Sequence, residues 1–108
     1  IDIFPGRPLD SKYAGNTVDI CPVGALLNRD FRFTSRVWYL EQAKSVCAGC
    51  ANGCNVNVDW RGENVYRLLP RHNEEVNQVW MCDDGRYGFG SLDADRLGKV
   101  LHLKPTRT

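Results

Sequence analysis

The 108 residues predict an α+β fold: a small β-rich domain, a β-hairpin plus short helices, preceded by an irregular segment with short helical turns. Three observations carry this expectation. Residues 55–60 alternate polar and apolar with the period of two of a half-buried strand, and a turn at 61–64 leads into a second apolar run at 65–69. The run 13–27 is interrupted at Pro22, which favours short helical pieces over one helix. Between these segments, three cysteines fall within eight residues, 47–54, separated only by small or turn-prone residues.

Taken in order, residues 1–12 hold Pro5, Gly6 and Pro8 and read as irregular, because proline removes a donor and keeps its predecessor extended. In 28–36, Phe31 and Phe33 alternate with Arg29, Arg32 and Arg36, so the aromatic rings are expected inside and the arginines outside. Residues 37–46 begin rich in β-formers and read as an extended segment delivering the chain to Cys47. In the hairpin that follows, Val56, Val58 and Trp60 share one face and are expected to point to the core. Residues 70–78 form a polar connector in which His72 is a surface residue. Val79, Trp80 and Met81 make an apolar patch that shields the neighbouring Cys82. Beyond it, Asp83 and Asp84 suit the start of a short helix, where the dipole favours acids. Arg86 reads either as an offset to charge near Cys82 or as a surface arginine. Residues 97–103 are apolar enough for a strand or packing arm, and 104–108 for a frayed end.

The cysteines carry the chemistry. Cys47, Cys50 and Cys54 follow a C-x2-C-x3-C spacing, and Cys82 arrives after 27 further residues. Structural zinc is usually gripped by two separate pairs of ligands. A [4Fe–4S] cluster takes one cysteine per iron, so one loop can hold three corners and a distant residue the fourth. The three-plus-one pattern therefore favours a small iron–sulfur domain over a zinc site. Gly49 and Gly53 are expected to adopt positive φ and turn amide N–H groups toward the sulfurs, which tunes such a centre. On spacing alone, Cys21 reads as a buried small hydrophobe, although a Cys-Pro step also closes ligand runs in bacterial ferredoxins. The pair Cys47 and Cys50 lacks the βαβ flanks of a thioredoxin-like exchange site.

Composition narrows the rest. A net charge of +1 with interspersed signs gives no reason to expect nucleic acid, and protein partners are expected instead. No apolar run is long enough to insert in a membrane and no signal-peptide pattern opens the chain. Five clustered cysteines do not resemble a secreted disulfide framework, which suggests a reducing compartment. No nucleophile–base pair, paired carboxylates or phosphate-binding loop stands out, so no catalytic site is expected in this segment.

Several motifs together resemble one family. The run 15–26, the cysteine loop, Arg67-Leu68-Leu69-Pro70-Arg71, the run 76–83 and Gly85-Arg86-Tyr87-Gly88 are similar to the large iron–sulfur subunit of bacterial NADH:quinone oxidoreductase, respiratory complex I, over about residues 13–97. The resemblance implies that Cys47, Cys50, Cys54 and Cys82 bind an additional [4Fe–4S] cluster found in some bacterial versions, off the main electron path. It implies that Cys21 is the last ligand of a second [4Fe–4S] cluster, which overturns its reading as an inert thiol. It further implies an upstream ferredoxin-like remnant at 1–36, a molybdopterin-oxidoreductase-type 4Fe–4S domain at 37–97, and a tail or link at 98–108. The partners implied are other subunits of the respiratory complex, with the protein cytoplasmic and peripheral on the inner membrane. Molybdopterin enzymes such as formate dehydrogenases are the nearest rival. They commonly place a lysine two residues after the fourth cysteine, where this chain has Asp84.

Overall fold

A computed structural model describes residues 3–92 together with 94 and 98. The arm expected over 97–103 and the tail at 104–108 lie outside the described residues, Gly98 excepted.

The centre of the fold is a three-stranded antiparallel sheet in the order β1-β2-β3. Its strands are β1 (Glu41–Val46), β2 (Asn55–Arg61) and β3 (Asn64–Pro70). The expected hairpin is β2–β3, paired from Val56 opposite Pro70 to Arg61 opposite Asn64. Gly62 closes it at φ +62°, the left-handed conformation that a two-residue hairpin loop of this kind requires at its first position.

The extended segment expected over 37–46 is a strand only in its second half. Residues 37–39 form a single 3₁₀ turn, and β1 then pairs with β2 from Glu41 opposite Trp60 to Val46 opposite Asn55. Glu, Gln, Lys and Ser are poor strand formers, and every residue of β1 is exposed. Its conformation is imposed by the ladder to β2. The consequence is positional: residues 47–54 become the loop of a second hairpin, with both ends tied to the sheet. The Cys47 N–H donates to the Cys54 carbonyl at 2.8 Å.

The expected apolar face of β2 is only partly present. Val56 is fully buried, but Val58 and Trp60 are half-buried and Asp59 is buried instead. The reason is an irregularity between Asp59 and Trp60, where β3 inserts Tyr66 as an extra residue and the alternation slips. The Asp59 carboxylate is compensated by Arg67 Nε at 2.6 Å and Gln42 Nε2 at 2.9 Å, as a buried charge requires. Arg67 also lies 4.1 Å over the half-buried Phe31 ring. Phe33 contradicts the inward expectation. It is 87% exposed at φ +64°, with Arg32 stacked on its outer face, because the turn at 31–34 reverses the alternation.

After β3 the chain folds back toward the cysteine loop. Asn73 and Gln78 bridge across the connector, and Asn77 fastens it. The Asn77 side-chain oxygen accepts from the Asn55 N–H at 2.9 Å, while its amide donates to the carbonyls of Arg71 and Trp80. Helix α2 (Asp83–Tyr87) follows, with Asp83 and Asp84 in its first turn as expected, and a 3₁₀ turn (Gly88–Ser91) continues it.

The N-terminal segment supplies α1 (Gly15–Asp19), the short helical piece expected before Pro22. It docks through polar contacts. Asn16 is buried and pairs twice with the Met81 backbone, at 3.0 and 3.2 Å. Of the expected shield at 79–81 only Met81 is buried, while Val79 and Trp80 remain largely exposed.

Candidate metal centre

Four thiols converge from two elements. Cys47, Cys50 and Cys54 stand on the β1–β2 loop, and Cys82 occupies the N-cap position of α2 in extended conformation. All four line one cavity of about 280 Å³, together with Gly49, Gly85 and Met81. They surround this space rather than converge on a point: among the described residues, no three Cys, His, Asp or Glu side chains are grouped as one ion would need. His72 is not part of the site and pairs with Glu74 at the surface.

Two features fit this cavity to a thiolate-bound cluster. The first is room. A Cβ on Gly85 would stand 2.9 Å from Cys47 Sγ, so glycine lets α2 approach this sulfur. The second is the supply of donors. Cys47 Sγ accepts from the Gly49 N–H at 3.4 Å, Cys82 Sγ from the Gly85 N–H at 3.4 Å, and Cys54 Sγ from the Asn52 side-chain amide at 3.0 Å. Such donors disperse thiolate charge and tune a bound cluster. Gly53 takes the expected positive φ, at +60°, but Gly49 does not; Gly49 contributes its N–H and its lack of a side chain. Sequence reasoning does not single out Gly85 and Asn52 as working on the sulfurs. The one signal for Gly85 is a glycine in the first turn of a helix that a ligand caps.

Cys21 lies elsewhere. It sits in the turn after α1 and faces a separate cavity of about 490 Å³, whose walls include Leu26, Phe31, Leu68, Tyr87 and Phe89. Hydrogen bonding from the backbone of Leu26 holds its thiol below the ordinary range. Desolvation opposes this, and the amides of Val23, Ala25 and Gly24 add to it. Gly24, at φ +64°, provides the bend that brings these amides round the sulfur.

A cysteine-lined cavity on a hairpin loop, in a small α+β domain, suits the class of compact iron–sulfur domains. Residues 40–90 match the family model described as the 4Fe–4S domain of NADH-ubiquinone oxidoreductase NDSU1/NuoG-like proteins. It is 42% identical over 99 residues to NADH-quinone oxidoreductase subunit 3 of Thermus thermophilus, covering 92% of this chain and 13% of the relative. It is 46% identical over 97 residues to an NADH-quinone oxidoreductase subunit of Streptomyces coelicolor, covering 89% of this chain and 12% of that one. The mitochondrial 78 kDa subunit of NADH-ubiquinone oxidoreductase from Neurospora crassa is 43% identical over 97 residues, covering 90% and 13%. The chain thus spans about an eighth of the length of these curated relatives.

Proposed function

We propose that this chain is an iron–sulfur module of an NADH:quinone oxidoreductase subunit, with Cys47, Cys50, Cys54 and Cys82 as the four ligands of one [4Fe–4S] cluster and Cys21 as a ligand of a second. The observation that carries the proposal is the gathering of four sequence-separated thiols around one cavity, with amide donors on three of them. When bound, a cluster of this type takes up and releases single electrons. The chain's own residues would hold it: the loop supplies three sulfurs from the hairpin end, α2 supplies the fourth, and the buried Met81 side chain covers one wall. Residues 37–97 form the four-cysteine domain in this reading, and 1–36 belong with the iron–sulfur domain that Cys21 serves.

The family-model match over residues 40–90 and the reported relatives favour this assignment over a molybdopterin enzyme. The three-plus-one spacing of the cysteines favours a cluster over a single zinc, which is usually gripped by two separate pairs of ligands. The proposed partners are the other subunits of the complex, which places the protein on the cytoplasmic side, peripheral to the inner membrane. Among the described residues no helix is long and apolar enough to cross a membrane.

The test is metal analysis with electron paramagnetic resonance on protein purified and reconstituted without oxygen. A reduced [4Fe–4S] signal that is lost when Cys54 is replaced by serine is the expected result. Stoichiometric zinc that iron and sulfide cannot displace would overturn the assignment.

A further inference from the structure

The sequence leaves Arg86 either near the Cys82 charge or at the surface, and the structure removes the second reading. It is 3% exposed, and its guanidinium reaches into the N-terminal segment. It grips Asp19 with both terminal nitrogens, at 3.1 and 2.6 Å, and reaches Asn16 Oδ1 at 3.1 Å. Its Nε has no hydrogen bond, with Asp83 Oδ1 at ion-pair distance, 3.7 Å. Asp83 in turn accepts from the Gly15 N–H at 3.0 Å, and the Asp83 N–H donates to the Lys12 carbonyl at 2.6 Å. One cation and two carboxylates are therefore shared between α1 and α2 in a nearly dry interface. Gly15 is required for this approach, because a Cβ there would lie 2.3 Å from Arg86 Nε.

The two ends of this interface belong to different thiol sites. Asp19 lies two residues before Cys21, and Arg86 lies four after Cys82, whose carbonyl accepts the Arg86 N–H at 3.0 Å. Both Asp19 and Arg86 also line the cavity that Cys21 faces. A bidentate guanidinium–carboxylate pair fixes orientation as well as distance, which a lysine cannot reproduce. We propose that Arg86 is a positioning residue shared by the two sites, locking the turn that carries Cys21 to the helix that presents Cys82 and so setting the separation of the two bound groups. The proposal rests on the reading that both sites hold clusters.

The experiment uses the full-length subunit in its assembled complex, purified without oxygen and fully reduced. The readout is the paramagnetic line shape of each cluster and the dipolar splitting between them, with the two signals assigned by their loss in C54S and C21S. In R86M, both signals are expected to persist with an altered splitting and a changed line shape for the Cys21 site. R86K is expected to recover only part of the change. If R86M does not assemble, D19N removes one carboxylate of the same lock and is expected to shift the same splitting. Wild-type splitting and line shapes in R86M, or in D19N where that variant decides, would overturn the positioning role even if thermal stability falls. Absence of a C54S-sensitive or a C21S-sensitive signal in the wild type would instead overturn the cluster reading, and the proposal with it.

Discussion

At the scale of single residues, the site depends on a missing side chain as much as on the thiols. Gly85 touches two sulfurs that are 38 and 3 residues away in sequence, Cys47 and Cys82. Adding a methyl group there places carbon 2.9 Å from Cys47 Sγ, inside van der Waals contact, and α2 must retreat or the loop must open. Gly85→Ala is therefore expected to lower iron per chain at the four-cysteine site several-fold after anaerobic reconstitution while leaving the Cys21 site loaded. Unchanged iron content would show that the helix does not need this approach. The thiols themselves are legible in the sequence because ligand spacing is a local property of the chain. Gly85, Asn52 and Arg86 are not, since their roles arise from contacts between elements, and sequence shows only that a glycine, an amide or a cation is nearby. Arg86 is the clearest case: its partner Asp19 is 67 residues away.

At the scale of elements, the sheet turns a loop into a ligand holder. The β2–β3 hairpin is legible from alternation and from its glycine turn, whereas β1 is legible only as part of an extended segment, because the pairing of its polar residues comes from the ladder to β2. The burial of Asp59 is hidden for a related reason: the extra residue on β3 overrides the simple in–out pattern. The fourth thiol is delivered by the connector 71–82, and Asn77 is the clasp that returns it to the sheet. This side chain is 8% exposed and satisfies three backbone groups, on Asn55, Arg71 and Trp80. Leaving a buried backbone group without a partner costs roughly 1–3 kcal/mol. Asn77→Ala is accordingly expected to destabilise the iron-loaded domain by about 2 kcal/mol, read as a lower denaturant midpoint, since relaxation and water recover part of the loss. Asn77→Ala melting with the wild type would show that the connector is held by something else.

At the scale of the whole molecule, the balance between core and cross-link decides stability. Val56 and Met81 are the only hydrophobic residues fully buried among those described, and small domains have little apolar surface to remove from water. The other strong contacts are polar: Asp59 with Arg67 and Gln42, Asn16 with Met81, and Arg86 with Asp19. Such pairs specify geometry, but the cost of desolvating their charges offsets much of their attraction. In the proposed reading, a cluster held by four thiolates would add what this core lacks, because its bonds would close the chain between the β1–β2 loop and α2 and stabilise only the folded arrangement. Iron removal by a chelator without oxygen should therefore abolish strand-type circular dichroism and amide-exchange protection in β1, β2 and β3 together. Cys50→Ala, which removes one of the loop ligands, should reduce the yield of assembled complex more than it slows electron flow in the complexes that do assemble. An iron-free domain that keeps its sheet and melts cooperatively at the loaded protein's temperature would contradict this. So would a Cys50→Ala complex that is intact yet inactive, which would move the cluster from scaffold to conductor.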